Sequence, residues 1–336
     1  MRLQYEKGSV SFESELVKGI TAEQLDKKLV EDFMNYNKSE ERDMFQFFLK
    51  NGLAGSCNGS ILLNNAAVLL FSQNPSVLLK RKCDIKIVHY TGVVQNNSGN
   101  PNFRRPPFSI EGHLLNQIKK AFEYIDNFAL PIKLEGATFK RMKIPEFAIQ
   151  EAVTNAVIHR DYSIQDNIQI RIFDNRIEVE SPGWFPGFVT PESILNERFA
   201  RNPIIERTLS KMQEPPNLDI GEGVNRMFKE MKKQNLYDPL YLPRKYTQHS
   251  VCVILMNEER IKYWDVANKY LSEHFQITNK EFCDLTGLDT LKASELLKKW
   301  VKQKLLEKVG DSKKKTAYKK PVSKKAEQTN LLEGLF

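Results

Sequence analysis

Three polar side chains recur at intervals of four residues in the segment EFAIQEAVTNAVIHRDY. They are Glu151, Asn155 and His159, and at about 100° per residue an α-helix would project all three from one face. A carboxylate at Glu151 can take a proton from water, and the amide oxygen of Asn155 is a hard, neutral ligand for Mg²⁺ beside phosphate oxygens. A polar stripe of this kind is usually a solvated helix face, so the chemical interpretation depends on the surrounding elements.

Two glycine-containing segments follow this helix. The first, SPGWFPG, contains Gly183 and Gly187, and the second, DIGEGV, contains Gly221 and Gly223. Glycine allows a backbone to approach a ligand closely, and the N–H groups at the start of a helix can receive phosphate. Each segment taken alone is more typical of an ordinary turn.

The elements that would position these residues alternate between helix and strand. Pro145 suits the first turn of a helix that runs to about Arg160. Two alternating runs on either side of Asp174-Asn175 predict a β-hairpin. The periodicity predicts further helices over 22–48, 112–128, 203–211 and 225–234 and strands over 85–90 and 250–256. The turn-rich segment NNSGNPNFRRPP, 96–107, predicts a loop or a domain junction.

This order of helix, hairpin, glycine segment, variable stretch, second glycine segment, helix and strand resembles the GHKL (Bergerat) ATPases. The segments NAVIHRDYS, IRIFDNRIEVESPG, RNPII and GEGVNRMFKEM look like the ATPase module of bacterial proteins labelled RecG-related or Schlafen AlbA-type transcriptional regulators. The resemblance covers roughly Ile61 to Met256, and the motifs are specific when taken together in this order.

The resemblance implies that the chain uses ATP and Mg²⁺. In that family the acid of the helix motif activates water and its asparagine holds the magnesium, which makes Glu151 the catalytic residue and Asn155 the Mg²⁺ ligand. The ATP-binding residues implied in this way are Asn155, His159, Arg160, Ser181, Gly183, Gly187, Arg201, Asn202, Gly221 and Gly223. For Arg201-Asn202-Pro203 a structural turn is an equal alternative to a phosphate contact.

The sequence departs from the family pattern at Ser181 and at the N-terminus, and it also lacks the motif of a helicase motor. Ser181 stands where the general pattern has an aspartate that binds the adenine amino group, so adenine selectivity is less strongly predicted than triphosphate binding. No G-x-x-x-x-G-K-[ST] P-loop occurs, so we do not expect a P-loop helicase. The glycine-rich strand motif of an AlbA-type domain is missing, so residues 1–105 are interpreted as an N-terminal α/β region, with the remnant of such a domain as one interpretation.

Composition favours a protein of two or three domains with an anionic partner. The chain has 336 residues, a net charge of +8 and a pI of about 9.1. It has no apolar stretch long enough to cross a membrane, so we expect a soluble, cytoplasmic protein without membrane contact. Its four cysteines lack metal-site spacing. Homo-oligomerisation is left open.

Basic residues are concentrated near the C-terminus, where helical patterns at 263–275, 279–285 and 290–304 precede two short candidate strands. This order predicts a winged helix-turn-helix whose third helix enters a major groove. Leu291, Leu296, Leu297, Trp300 and Leu305 would face its core. The lysines expected to contact double-stranded DNA are Lys292, Lys298, Lys299, Lys302, Lys313, Lys314 and Lys315. A protein-docking module with a solubilising lysine face is the alternative.

Together these patterns predict an α+β protein: a Bergerat-type α/β sandwich with an N-terminal α/β region and a C-terminal winged helix-turn-helix. The predicted divisions are an N-terminal region at 1–105, a GHKL-like ATP-binding domain at 106–258, a winged helix at 259–320 and a basic flexible tail at 321–336. The leading hypothesis is a DNA-associated bacterial regulator that binds ATP and hydrolyses it slowly. The main alternative is a DNA-binding transcription factor whose ATPase-like fold is structural. A histidine kinase is disfavoured because no upstream helix pair carries an obvious phospho-acceptor histidine.

Overall fold

The computed structural model describes residues 11–96, 99–129, 133–135, 138–140, 143–217, 221–244, 249–260, 263–310 and 316–321. The chain divides into two compact units, 1–259 and 260–336. None of the described helices combines the length and the apolar character that crossing a membrane requires.

A six-stranded mixed sheet forms the centre of the first unit. Its strands lie in the order β4-β3-β7-β8-β10-β9, with β3 and β7 parallel and the other neighbours antiparallel. The strands of the first unit are β1 Ala54–Cys57, β2 Ser60–Leu63, β3 Ile85–Tyr90, β4 Phe103–Ile110, β5 Lys133–Glu135, β6 Thr138–Lys140, β7 Ile168–Phe173, β8 Arg176–Pro182, β9 Leu240–Arg244 and β10 Ser250–Met256. The predicted hairpin is β7–β8, joined at Asp174-Asn175.

Eight α-helices of the first unit lie within its described residues. They are α1 Lys27–Tyr36, α2 Met44–Lys50, α3 Asn65–Phe71, α4 Pro75–Leu78, α5 Leu114–Tyr124, α6 Glu146–Ile158, α7 Pro203–Ser210 and α8 Gly223–Lys233. Short 3₁₀ turns occupy Phe12–Ser14 and Ala22–Gln24, and a π-helical turn, Ile125–Ala129, follows α5.

Helix α6 is the central helix of the unit. It packs against α5 and α8 on its sides and against β8 and β10 of the sheet. Its apolar residues Ala148, Ile149, Ala152, Val153 and Val157 are all buried, as expected for a helix covered on most of its faces. This packing fixes the direction of the polar stripe that starts at Glu151.

The predicted single helix over 22–48 is wrong, because the chain forms α1 and α2 with a break between them. Lys38, just after α1, has a positive φ of 50°, which a helix cannot continue. The side chain of Asp26 accepts from the Leu29 N–H and that of Asp43 accepts from the Gln46 N–H, so each carboxylate caps a separate helix start.

The predicted loop or junction at 96–107 is also wrong in its second half. Pro106 and Pro107 lie within β4, which is an edge strand. Proline is tolerated there because an edge strand has a partner on one side only, so the loss of an N–H group on its outer side removes no hydrogen bond of the sheet. The pairing with β3 shifts register between Ile87 and His89, opposite the prolines. The expected division at 105/106 therefore falls inside a strand of the central sheet.

The N-terminal residues share the core of the first unit. Phe12, Val30, Phe33 and Phe47 belong to the same buried cluster as α6 and the central strands. The buried carboxylate of Glu13 accepts hydrogen bonds from the Ile204 N–H (2.9 Å) and the Ile205 N–H (3.0 Å) at the start of α7. The first hundred residues are thus a part of this unit rather than a separate body.

The second unit contains three helices and a small antiparallel sheet in its described residues. These are α9 Trp264–Glu273, α10 Asn279–Thr286 and α11 Thr290–Lys302, with β11 Ile277–Thr278, β12 Glu307–Val309 and β13 Ala317–Lys319 in the order β11-β13-β12. Thr278 and Glu281 form a reciprocal capping box at the start of α10, and Gly287 (φ 68°) ends that helix.

The third helix of this unit, α11, buries Ala293, Leu297 and Trp300 in a core with Phe282. The expectation that Leu291 faces the core is wrong, because its side chain is 70% exposed in the first turn of the helix. The lysines Lys292, Lys298, Lys299 and Lys302 are exposed. Lys313, Lys314 and Lys315 lie outside the described residues.

Candidate functional site

Glu151 and Asn155 lie one turn apart on the same face of α6 and are hydrogen bonded to each other. The Asn155 Nδ2 donates to Glu151 Oε1 over 2.8 Å. Because its NH₂ group makes this bond, the Oδ1 of Asn155 is the atom left to bind a cation. Both side chains line a cavity of about 550 Å³, which is within the usual size of a small-molecule site.

The cavity is enclosed by both glycine segments and by three strands. Helix α6 and the start of α8 form one side, and the chain from 181 to 200 forms another. Its lining is largely apolar and aromatic, with a few polar groups that could orient a ligand. Representative lining residues are Phe147, Val179, Ser181, Gly183, Trp184, Phe185, Leu195, Phe199, Gly221, Gly223, Tyr241, Val251 and Val253.

The second glycine segment touches the acid directly. A Cβ placed on Gly223 would lie 1.8 Å from Glu151 Oε1 and 2.3 Å from its Cδ. Gly223 is the first residue of α8, two residues earlier than sequence periodicity indicated. The absence of a side chain at Gly223 therefore allows the start of α8 to approach Glu151, and the first residues of that helix line the cavity.

Burial raises the pKa of Glu151 above its ordinary value. The hydrogen bond from Asn155 and the positive charge of Arg226 both lower that pKa and so favour the carboxylate. Burial is the larger effect, so the pKa is raised, while the bond and the charge partly offset the rise. A carboxylate with a moderately raised pKa is typical of general bases.

The first glycine segment is supported from behind by Arg201. A Cβ on Gly183, whose φ is +111°, would lie 1.9 Å from Nη1 of Arg201. The Nη2 of Arg201 donates to the Trp184 carbonyl oxygen. Its buried Nη1 has no hydrogen-bond partner among the described residues. Arg201 is thus in contact with the glycine segment without lining the cavity itself.

Gly187, the other glycine of that segment, is packed against an aromatic side chain. A Cβ there would lie 2.4 Å from the ring of Phe199, which lines the cavity while Gly187 does not. His159 does line the cavity. Burial, aided by the charge of Arg201, lowers the pKa of His159 to about 4, so its imidazole is neutral at pH 7 and is not a cationic phosphate ligand.

Two of the expected ATP-binding residues are structural. Arg160 is fully buried outside the cavity and donates to the carbonyl oxygens of Lys82 and Asp166. Asn202 is buried and its Nδ2 donates to the carbonyl oxygens of Ile158 (2.7 Å) and Arg160 (2.8 Å), where it satisfies the C-terminal end of α6. The structural-turn alternative therefore describes Asn202, and the expected phosphate contact of Arg160 is not seen.

Ser181 lies at the end of β8 beside the C-terminal half of α6. Its Oγ donates to the carbonyl oxygen of Ala156 over 2.7 Å, a bond that joins the strand to the helix. The hydroxyl oxygen still has lone pairs that can accept one hydrogen bond from a ligand. Glu180, the preceding residue, is bonded to Arg171 and Ser250 and does not line the cavity.

Sequence reasoning missed Tyr241, Arg226 and Trp184, all of which line the cavity. Tyr241 lies on β9 and its phenol pKa is raised by burial and by the nearby Glu151. Its position in the cavity depends on the pairing of β9 with β10, which no local sequence pattern predicts. A signal for Arg226 was available, because it follows Gly223 by three residues and so lies on the same face of α8.

The donor set fits a nucleoside triphosphate with one magnesium ion. The apolar lining suits a base, and the acid–amide pair suits the reacting end of a phosphate chain with its cation. Asn155 would hold the magnesium together with phosphate oxygens and water, because its amide oxygen is a hard ligand that lines the cavity.

A related family and a similar solved structure both bear on this site. Residues 165–255 match the family described as "Putative ATP-dependent DNA helicase recG C-terminal". The match includes the hairpin β7–β8, both glycine segments and most of β10, and it begins after α6. No curated protein matches the chain.

A solved structure similar in fold is the crystal structure of the DIP2311 protein from Corynebacterium diphtheriae. It has a TM-score of 0.55 and 18% sequence identity, and the alignment covers 95% of this chain and 66% of that one. The chain thus spans less than two thirds of the length of that protein, and the likeness shows the fold alone. Together with the six-stranded mixed sheet, the family match shows that the chain contains an ATPase-like, RecG-related module.

Proposed function

We propose that this protein binds ATP with Mg²⁺ in the cavity beside α6, hydrolyses it slowly, and uses the nucleotide state to control DNA binding by its second unit. The observation that carries the proposal is the contact of Glu151, which is bonded to Asn155, with Gly223 at the wall of one cavity. An acid, an amide and a glycine-started helix are three groups that a phosphate chain with magnesium would need.

In this proposal Glu151 is the base that takes a proton from the attacking water, and Asn155 holds the magnesium through Oδ1. The magnesium, when bound, neutralises charge on the phosphate oxygens. The N–H groups at the start of α8, beginning at Gly223, receive phosphate oxygens. Ser181 accepts a hydrogen bond from the base, while Gly183 and Gly221 allow close approach of the backbone.

We further propose that the second unit is a winged helix-turn-helix with α11 as its recognition helix. Lys298, Lys299 and Lys302 are exposed along that helix, and lysines bind phosphates as point charges with little base selectivity. Lys292 is paired with Asp289 over 3.2 Å, so its contribution to DNA affinity would be smaller. In this proposal the partner is double-stranded DNA, and the protein is a bacterial transcription regulator.

A transcription factor with a non-hydrolysing, structural ATPase-like fold is the second candidate. The observation that favours it is Ser181, whose hydroxyl donates to Ala156 within the fold, in the place where an aspartate would read adenine. The retained Glu151–Asn155 pair opposes it.

Phosphate release by the full chain distinguishes these candidates. We expect slow, magnesium-dependent turnover of ATP that Glu151→Gln abolishes while ATP binding persists, because glutamine keeps the shape of the side chain but cannot accept the proton. Glu146→Gln is the matched control, since Glu146 is an exposed acid in the first turn of the same helix. Equal absence of turnover in wild type and Glu151→Gln would select the structural candidate.

Coupling is tested by the affinity for duplex DNA with and without saturating ATP and Mg²⁺. The proposal requires that nucleotide changes this affinity and that DNA changes nucleotide affinity by the same factor. DNA affinity that is identical in both conditions, with nucleotide shown to be bound, would separate the two activities and contradict the regulatory part of the proposal.

A further inference from the structure

Arg226 is a cavity-lining cation for which the nucleotide-binding proposal gives no role. It lies on α8, and its guanidinium carbon lies 4.0 Å from the ring centroid of Phe147, which is on α6. Its charge is the one that lowers the pKa of Glu151. Among the described residues no carboxylate lies within ion-pair distance of it, whereas the nearby Arg198 is paired with Glu222 over 3.4 Å.

The two contacts between α6 and α8 give Arg226 a defined place in the cavity. Gly223 meets Glu151, and Arg226, three residues later, meets Phe147, four residues earlier. The contacts therefore proceed in opposite directions along the two helices, and each step is close to one turn, about 5.4 Å. Along the cavity face of α6 the order is Asn155, then Glu151, then Phe147 with Arg226.

This order determines which part of a bound nucleotide would meet the guanidinium. Ser181, the group proposed to contact the base, is bonded to the backbone carbonyl oxygen of Ala156, which follows Asn155 near the C-terminal end of α6 and also lines the cavity. A nucleotide with its base there and its magnesium at Asn155 would bring its last phosphate to Glu151 and Arg226. A diphosphate placed in the same way would end one phosphate short of that position.

We infer that Arg226 binds the terminal phosphate and is the residue that makes the site prefer nucleoside triphosphates to diphosphates. The inference rests on the proposed nucleotide binding by this cavity. Guanidinium groups give charge-assisted, bidentate hydrogen bonds to phosphate. The ring of Phe147 holds the group in place through a cation–π contact, and the solvent-accessible position of Arg226 means that little desolvation opposes the exchange of water for phosphate.

The same contact would also link the terminal phosphate to the second glycine segment. Arg226 and Gly223 belong to one helix, so a phosphate held by the guanidinium would favour the position of α8 in which Gly223 lies on Glu151. Loss of that phosphate on hydrolysis would remove this restraint. Arg226 is therefore a specificity-determining residue with a structural effect on the segment that encloses the nucleotide.

Calorimetric binding of ATP·Mg²⁺ and ADP·Mg²⁺ to the full chain tests the inference without reference to turnover. Wild type should bind ATP more tightly than ADP. Arg226→Gln should weaken ATP binding about tenfold to a hundredfold, as expected for loss of a hydrogen bond between charged groups, and change ADP binding less than about twofold. Arg226→Lys should recover part of the difference, since lysine retains the charge without the bidentate geometry.

Lys229→Gln is the matched control, because Lys229 is an exposed cation one residue beyond Phe228 on the same helix and does not line the cavity. It should bind both nucleotides as wild type does. A uniform loss of ATP and ADP affinity in Arg226→Gln, or no loss of either, would overturn the role of Arg226 and leave the proposed nucleotide site standing. Failure of wild type to bind either nucleotide would overturn the proposed function and this inference together.

Discussion

The backbone of Gly223 lies directly on the carboxylate of Glu151, so closely that a single added carbon on the glycine would overlap the acid. The two residues are 72 positions apart in sequence and belong to different helices. Their contact places the second glycine segment against the polar face of α6, and the start of α8 thereby forms one wall of the cavity. Local sequence patterns can suggest each residue separately, but the contact depends on the packing of α6 against α8.

Substitution Gly223→Ala should destabilise the first unit. The added Cβ would displace the carboxylate of Glu151 from its hydrogen bond with Asn155, and overpacking of this kind typically costs about 1–3 kcal/mol. Glycine to alanine in an unobstructed helix instead raises the free energy of unfolding by about 0.4–1 kcal/mol, so the sign of the change is diagnostic. Denaturant unfolding followed by hydrogen exchange of first-unit peptides measures it.

A double variant provides the control for this change. Gly223→Ala combined with Glu151→Ala should recover most of the lost stability, because removal of the carboxylate gives the new methyl group room. If the two substitutions add without recovery, the contact between Gly223 and Glu151 is not the cause of the destabilisation.

Substitution Asn155→Ala should remove the magnesium dependence of nucleotide binding. The amide oxygen is the proposed ligand, so ATP affinity in the variant should be nearly the same with Mg²⁺ and with EDTA, whereas wild type should bind more tightly with Mg²⁺. Gln150→Ala, an exposed change on the same helix, should behave as wild type. Retention of the full magnesium effect in Asn155→Ala would assign the cation to another ligand.

Local signals were sufficient for α6, the β7–β8 hairpin and the strand β10. Pro145 directly precedes the first residue of α6, and Asp174-Asn175 lies at the turn of the hairpin. Both features could be predicted because a helix start and a tight turn are determined by a few neighbouring residues. The edge position of β4 could not be predicted in the same way. It depends on a partner strand that is distant in sequence. The local sequence contains two prolines, which by themselves predict a loop and not a strand.

The candidate site also combines residues that the sequence could predict with residues whose roles depend on distant contacts. Glu151 and Asn155 share one face of α6 as their spacing suggested, and Gly183 and Gly223 line the same cavity as the resemblance to the GHKL ATPases implied. Arg160 was misjudged, because the residue that ends a helix can turn inward, and here the carbonyl oxygens of Lys82 and Asp166 receive its guanidinium. Asp166 is close to Arg160 in sequence, but Lys82 comes from a separate part of the chain, which no motif around α6 could indicate.

Glu13 should make the free energy of unfolding of the first unit decrease as the pH rises from about 4.5 to about 7. Burial raises the pKa of this acid to about 7, so the folded state binds its proton more tightly than the unfolded state does. The resulting stabilisation is complete below the unfolded pKa and is lost as the pH rises through the folded pKa. A shift of this size corresponds to about 3 kcal/mol at most.

Unfolding measured at pH 5 and pH 7 for wild type and Glu13→Gln tests this pH dependence. The decrease in free energy of unfolding between the two pH values should be smaller in the variant, because glutamine does not titrate. Glu31→Gln, an exposed acid on α1, should retain the wild-type decrease. Equal decreases in wild type and Glu13→Gln would show that this carboxyl titrates near its ordinary pKa in the fold.

Substitution of Lys298 and Lys299 together by glutamine should weaken duplex DNA binding in a salt-dependent manner. Loss of two phosphate contacts should reduce the slope of log affinity against log salt by about 2. The charge-matched control is Lys27→Gln with Lys28→Gln, two exposed lysines on α1 of the first unit. An unchanged slope in the α11 variant would favour the protein-docking alternative for this helix.

The melting temperature of the wild-type chain with saturating ATP and Mg²⁺ tests the central claim most directly, because a ligand that binds the folded state must stabilise it. At a concentration one hundred times the dissociation constant, binding should add about 2.7 kcal/mol to the free energy of unfolding and raise the melting temperature of the first unit. Glu146→Gln should show the same rise. An unchanged melting temperature at millimolar ATP and Mg²⁺ would contradict nucleotide binding by the cavity beside Glu151 and Asn155.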